Sequence, residues 1–277
     1  MTSTPSDVPR YPHGVPAWMD LLTAEPVPAA EFYGHLFGWR FRELEDAPRP
    51  YRVASLPEGG DVAGVGALAI GNPGWTMYVR VDDLDAIEHR VRDAGGLVRE
   101  PSHEAFDGGR RTRFEDPAGA VFGAWEGGRH AGAEVVNVAN SWNFNELHTP
   151  DLEAAAAFYG SVFGWETTEV GPDLRMVRRP GYSDVLERHD PGIRARHAEA
   201  GAPPGFTDAV AWIAATAEET PRWNVTFAVD DPDGVAARAR ELGGSVATEP
   251  FDVRGSRVAE LADPQGFPFT VSRWSPG

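Results

Sequence analysis

The feature that most constrains this chain is that its sequence is written twice. Residues 20–39 (DLLTAEPVPAAEFYGHLFGW) and 146–165 (ELHTPDLEAAAAFYGSVFGW) lie 126 positions apart, and ten of the twenty aligned residues are identical. The identities include Phe32/Phe158, Tyr33/Tyr159, Phe37/Phe163, Gly38/Gly164 and Trp39/Trp165. Uncommon aromatic types that match in register point to an internal repeat rather than to shared composition. Further on, WTMYVRVDD at 75–83 matches WNVTFAVDD at 223–231, now 148 positions apart. Each half closes on a D-P-x-G turn, at 116–119 and 263–266, followed by an apolar run. The growing offset places an insertion early in the second half. The segment 181–204, rich in charge, Pro and Gly, is the expected insertion, a lid or specificity loop carrying Tyr182, Glu187 and His189.

A finer repeat lies inside each half. Residues 17–39 read strand, turn, helix, and 75–96 read the same way again. In the second of these, Asp82-Asp83 offers a helix N-cap, Leu84, Ile87 and Val91 recur at helical spacing, and Gly95-Gly96 stops the helix. Asp230-Asp231, Pro232, Val235, Ala239, Leu242 and Gly243-Gly244 repeat the pattern in the second half. Each helix precedes about three short strand candidates, so the unit is βαβββ and the chain holds four of them. The expected class is α+β: two domains, each of two βαβββ units forming a curved eight-stranded sheet. The boundaries are a loose N-terminal arm at 1–11, a first domain at 12–126, a linker at 127–140 and a second domain at 141–277.

Composition removes several functions. The 277 residues carry a formal charge of −17, which argues against nucleic acid and anionic membrane surfaces, both of which require clustered Lys and Arg. Without cysteine there is no disulfide, thiolate nucleophile or Cys-type zinc site. The polar N-terminus lacks the apolar stretch of a signal peptide, and no apolar run is long enough to span a bilayer, so a cytoplasmic protein is expected. The expected partners are a small organic ligand and, as a homodimer, a second copy of the chain.

Strand–turn–helix with a Phe-Tyr pair and a Phe-Gly-Trp ending, then a V-D-D helix stopped by Gly-Gly, then D-P-x-G before a last strand, resembles the vicinal-oxygen-chelate superfamily of glyoxalases, bleomycin-resistance proteins and dioxygenases. The likeness covers nearly the whole chain and is greatest to tandem glyoxalase-like proteins of the actinomycete type. It implies that each sheet curls into a cup around a ligand. It also implies where a metal would be held: on the first strand of each unit, fourteen residues before the Phe of Phe-Tyr in the opening unit, and on the last strand, seven after the Asp of D-P-x-G. Those positions here are Trp18, Phe144, Trp75, Trp223, Gly123 and Thr270, none of them a usual ligand for Mn, Fe, Ni or Zn. No metal and no other cofactor is therefore expected.

The residues that remain suggest where chemistry could lie. Alternation along a strand puts Phe144, Glu146 and His148 on one face, with Phe144 in the register that faces the cup. A carboxylate in an apolar pocket suits general-base work, so Glu146 is the candidate base and His148 its assistant. The first half has Asp20 and Leu22 at the matching places, which puts any catalytic pair in the second cup. Trp18, Asp20, Trp75, Phe144, Trp223 and Thr270 are the expected ligand-binding set, the aromatics as a stacking platform for a planar or cationic ligand. Arg110, Arg111, Arg113, Arg254 and Arg257 are expected to pair with surface acids, and His103 and His189 to be solvated. The function expected is small-molecule binding, with metal-free isomerase or lyase chemistry in the second cup. The alternatives are a drug-sequestering protein of the bleomycin-resistance kind, or a metal-dependent glyoxalase or dioxygenase if the ligand register is different.

Overall fold

The computed structural model describes residues 11–45, 47–68, 71–105, 109–128, 130–217 and 220–274. The first half runs β1 (Pro16–Thr23), α1 (Pro26–Phe37), β2 (Arg40–Glu43), β3 (Tyr51–Ser55) and β4 (Asp61–Ala67), then β5 (Gly74–Val81), α2 (Leu84–Asp93), β6 (Leu97–Glu104), β7 (Arg110–Glu115) and β8 (Val121–Glu126). The second half begins with β9 (Ser141–Thr149), α3 (Leu152–Phe163), β10 (Glu166–Gly171) and β11 (Leu174–Arg178). It continues through α4 (Tyr182–His189) and α5 (Ile193–Glu199) to β12 (Ala209–Ala215), and ends with β13 (Arg222–Ala228), α6 (Pro232–Glu241), β14 (Ser245–Val253), β15 (Ser256–Ala262) and β16 (Pro268–Trp274). The four βαβββ units and the α+β class are as the repeat implies.

Two curved eight-stranded sheets result, in the orders β2-β3-β4-β1-β5-β8-β7-β6 and β10-β11-β12-β9-β13-β16-β15-β14, and neither closes on itself. In each, the first strands of the two units pair antiparallel at the centre, β1 with β5 and β9 with β13. The repeated motifs have local causes. Gly38 and Gly164 end α1 and α3 with φ of 73° and 71°, a left-handed turn that glycine enters without strain. Asp83 and Asp151 accept the Ala86 and Ala154 N–H groups at 2.8 and 2.9 Å and so cap α2 and α3. Asp231 holds the N-cap position of α6 but makes no such bond; Pro232 in the first turn presets that helix instead.

The halves do not each own a core. One core joins β1, α1, β3 and β4 to Val225, Phe227, Ala236, Leu261 and Phe269 of the last unit. The other joins Met77, Val79, Ile87, Phe114 and Phe122 to Leu147, Phe158, Phe163, Ala211 and Ile213 of the third unit. The halves are thus fused through the helix-bearing faces of their sheets, and the opposite faces are left to form the cups.

The insertion folds as two short helices, α4 and α5, rather than as a loop. The N-terminal arm lies outside the described residues except for Tyr11. That residue is buried and donates its hydroxyl to the Ala133 carbonyl at 2.7 Å, so Tyr11 packs with the first domain rather than standing in a loose arm. Among the described residues no helix is long and apolar enough to cross a membrane.

Candidate functional site

The pairing register decides which side chains face each cup. In the first half Trp18 lies opposite Tyr78, Asp20 opposite both Gly64 and Thr76, Tyr78 beside Gly123, and Gly123 opposite Arg113. In the second half the same places hold Phe144 opposite Thr226, Glu146 opposite both Trp212 and Asn224, Thr226 beside Thr270, and Thr270 opposite Glu260. One step along, Arg111 pairs with Trp125 where Val258 pairs with Ser272. The two cups can therefore be compared position by position.

The first cup is filled by its own side chains. Trp18 donates Nε1–H to Tyr51 Oη at 2.9 Å, and Tyr51 donates to Asp20 Oδ2 at 3.1 Å. Arg111 Nη1 reaches the same carboxylate oxygen at 2.7 Å, with its guanidinium over the Tyr51 and Tyr78 rings at 5.5 and 5.7 Å. His130 from the linker packs edge-on against Trp18 at 4.6 Å. Glycine makes room for the two tyrosines: a Cβ on Gly64 would stand 1.9 Å from Tyr51 Oη, and one on Gly123 would stand 2.2 Å from the Tyr78 ring. Trp18, Asp20, Tyr51, Tyr78, Arg113 and Trp125 are all buried. Burial pushes the Asp20 carboxyl above its usual range, with Arg111 opposing. Burial and then the Asp20 charge hold the Tyr51 hydroxyl well above its own, so it remains a donor. The space left at the rim by Tyr51, Glu100, His103 and Arg111 is about 30 Å³, enough for water but not for an organic ligand.

The second cup is open. Phe144, Glu146, Trp212, Thr226, Val258, Glu260 and Thr270 each keep part of their surface exposed. One wall is aromatic: Phe144 lies 5.9 Å from Phe206 and 6.1 Å from Trp212, ring centre to ring centre. Phe206 comes from the segment that returns from α5, and its other side meets His197 at 5.0 Å. That side, with Ser183, Arg194 and Pro203, lines a cavity of about 360 Å³ beneath the two inserted helices. The other wall is polar, with Asn224 Nδ2 donating to Thr270 Oγ1 at 2.6 Å and Thr248 Oγ1 donating to Glu260 Oε2 at 2.8 Å. Between the walls His148 Nε2 lies 2.8 Å from Glu146 Oε1. Glu146 is not sealed in apolar surroundings: its side chain retains 34% of its exposure.

The candidate residues therefore divide. Phe144, Glu146, His148 and Thr270 converge on the open cup. Trp18 and Asp20 lie inside the closed one. Trp75 and Trp223 were expected in the cups and are not there. They sit on the helix side, where Trp75 Nε1–H donates to Tyr33 Oη at 2.9 Å and Trp223 Nε1–H to Tyr159 Oη at 2.7 Å. A slip of one residue along a strand reverses its face, and Thr76 and Asn224 hold the cup-facing places. Arg110 and Arg257 do pair with surface acids, Asp85 and Asp233, but Arg111 pairs with buried Asp20 and Arg113 donates to the Asn72 carbonyl. His103 is not simply solvated, since it accepts from Arg111 Nε at 3.2 Å. Sequence reasoning missed Trp212, Phe206, Thr226 and Glu260. The alternation in AVAWIAA and SRVAELA carried a signal for Trp212 and Glu260, once the strand register is known.

The donors do not suit the divalent metal of this fold. Of the cup-facing positions on the four inner strands, Trp18, Gly64, Thr76 and Gly123 in one half and Phe144, Trp212, Asn224 and Thr270 in the other carry no metal-binding group, and the carboxylates between them, Asp20 and Glu146, are engaged by Arg111 and by His148. Aromatic, glycine, hydroxyl and amide side chains do not make a Mn, Fe, Ni or Zn centre. Among the described residues no group of three or more His, Asp or Glu is arranged to hold a metal ion.

Residues 17–123 match the family model described as the glyoxalase/bleomycin resistance protein/dioxygenase superfamily, and residues 144–272 match that of a glyoxalase-like domain. The chain is 34% identical over 282 residues to the putative glyoxylase CFP32 of Mycobacterium tuberculosis (strain CDC 1551 / Oshkosh), covering 96% of this chain and 97% of the relative. It is also 34% identical to the anthracycline biosynthesis protein DauV of Streptomyces sp. (strain C5), over 95% of this chain and 94% of the relative. Among solved structures, the Mn(II)-bound glyoxalase of Novosphingobium aromaticivorans superposes with a TM-score of 0.60 at 15% identity, over 94% of this chain and 82% of that one. The 2,3-dioxygenase LapB of Pseudomonas sp. KL28 gives 0.59 at 14% identity, over 94% and 91%. At such identities the likeness is one of fold.

Proposed function

The chain belongs to the glyoxalase/bleomycin resistance protein/dioxygenase superfamily, and on that premise we propose that it binds a small organic molecule in its second cup, through side chains rather than a metal, with the first half as structural partner. One observation carries this reading: Trp18, Asp20, Tyr78 and Gly123 are buried in the first cup, and the register-matched Phe144, Glu146, Thr226 and Thr270 are part-exposed in the second. A concave site with an aromatic wall and a few convergent polar groups has the make-up of a ligand pocket. The name of the DauV relative agrees with an aromatic ligand. The test is a panel of aromatic compounds screened by tryptophan fluorescence against wild type and Trp212→Phe. Ligands of the second cup change the wild-type emission and lose that change in the variant. Hits whose signal is untouched by Trp212→Phe but lost in Trp125→Phe would place binding in the first cup and overturn the reading.

The contact between Glu146 and His148 favours a second, catalytic reading, in which Glu146 takes a proton from a bound substrate and His148 steadies the carboxylate. Isomerisation and lyase chemistry both begin with such a step. Glu146→Gln then abolishes turnover while ligand still binds; unchanged turnover removes this reading and leaves binding alone.

A further inference from the structure

The first cup is closed by parts that the second cup lacks, and the missing parts describe what the second cup would accept. On the side built from β13, β16 and β15, Thr226 stands where the first half has Tyr78, and Ser272 stands where it has Trp125. Two aromatic rings are absent there. Trp212 in place of Gly64 refills the other side, and Ser272 is buried with Asn143 Nδ2 donating to its hydroxyl at 3.3 Å, so the part left exposed lies beside Phe144, Thr226 and Thr270. The charges change as well. The first cup sets Arg111 and Arg113 against Asp20 and Glu100. The second keeps an acid at the Asp20 place, Glu146, but has Val258 for Arg111 and Glu260 for Arg113. Among the described residues, Arg178 is held by Glu166 of the edge strand at 3.2 Å, and Arg222, opposite His148, has a partner of its own.

We propose that the second cup takes a flat aromatic ligand of two or more fused rings bearing a protonated amine. Its rings occupy the place of Tyr78, over Thr226 and Thr270 and against Phe144, and its ammonium group occupies the place of the Arg111 guanidinium, between Glu146 and Glu260. The first half fills its cup with a built-in likeness of that ligand. The proposal rests on the binding reading above. It deepens it by naming a ligand chemistry that rings alone do not dictate, because an ammonium near two carboxylates in a partly desolvated cup is favoured and a carboxylate or sulfonate is repelled.

The test uses the whole chain and three soluble probes: 1-naphthylmethylamine as the two-ring ammonium, naphthalene-1-sulfonate as the anion, and benzylamine as an ammonium with one ring. Wild type is expected to bind 1-naphthylmethylamine at least tenfold more tightly than either of the others. Val258→Arg, which returns a guanidinium to the Arg111 place at a part-exposed strand position, is expected to weaken 1-naphthylmethylamine at least tenfold. Glu260→Gln gives a smaller loss in the same direction. Thr226→Tyr, which restores the missing ring, blocks every probe, with circular dichroism confirming the fold; if that variant fails to fold, Val258→Arg still decides the charge. Equal binding of cation and anion, both blocked by Thr226→Tyr, overturns the ammonium proposal and leaves the binding reading intact. Binding of no probe, or binding indifferent to Thr226→Tyr, Val258→Arg and Trp212→Phe alike, overturns both.

Discussion

Tyr159 donates its hydroxyl to Asp116 Oδ2 at 2.9 Å, joining the Phe-Tyr motif of the second half to the D-P-x-G turn of the first. The reciprocal bond runs from Tyr33 to Asp263 Oδ2 at 3.2 Å. Trp223 and Trp75 complete the two clasps by donating to the tyrosine of their own half. A second reciprocal pair lies near by: Trp39 Nε1–H donates to the Asn140 carbonyl at 2.7 Å and Trp165 Nε1–H to the Gly14 carbonyl at 2.6 Å, each just ahead of the other half's first strand. The residues that recur most clearly along the sequence are those that hold the halves together.

Tyr159→Phe removes one hydroxyl and leaves two buried groups short of a partner, the Trp223 indole N–H and Asp116 Oδ2. A buried polar group without its hydrogen bond costs roughly 1–3 kcal/mol, and a loss in that range is expected in urea denaturation. Asp116→Ala is expected to cost more, because Asp116 Oδ1 also accepts the backbone N–H groups of Ala118, Gly119 and Ala120, each at 2.9 Å. If both variants unfold at the wild-type urea midpoint, the clasp has no part in stability.

The fold was legible in the sequence because the repeat marks its units and the motifs mark their ends. Gly38 and Gly164 stop helices, Asp83 and Asp151 start them, and each kind of residue acts through local geometry that pattern alone reveals. The cup was only half legible. That Phe144, Glu146 and His148 share one strand face is legible because alternation along one strand is a short-range property. The face of Trp75 and Trp223 is not, since counting back from V-D-D leaves a slip of one residue open and that slip reverses the face. Their identity in both halves was the better clue, because it suits a reciprocal clasp more than a site present in one half alone. The closure of the first cup was beyond reach: it depends on Tyr51, Tyr78 and Arg111 meeting Asp20 from three other strands. The helices α4 and α5 were missed because pieces of one or two turns between Gly and Pro have weak helical signals of their own.

Shared cores make the halves interdependent. Residues 12–126 alone would expose the apolar faces that Phe227, Phe269, Phe158 and Leu147 now cover. Expressed by itself, that half is expected to aggregate or to pair with a second copy. Co-expression with residues 127–277 is expected to restore a 1:1 complex with native tryptophan emission. Light scattering on the eluting species measures this. A monomeric first half with its own cooperative melting transition would show that the shared cores are dispensable.

The closed state of the first cup rests on Gly64 and Gly123, and their replacement tests it. In Gly64→Ala the new methyl lies within bonding range of Tyr51 Oη, so the ring must swing away from Trp18 and Asp20, and two hydrogen bonds are lost or lengthened. In Gly123→Ala the methyl meets the Tyr78 ring, which already has the Arg111 guanidinium over it. Overpacking of this kind costs about 1–3 kcal/mol, and a lower melting temperature is expected for both. Thr270→Ser, at the place matching Gly123 in the open cup, keeps the hydroxyl that accepts from Asn224, removes one methyl where space already exists, and is expected to change the melting temperature far less. The comparison separates the cups by packing alone, without any ligand. Equal losses at Gly123 and Thr270 would mean that the two cups are packed alike, and the asymmetry on which the second cup's role depends would be gone.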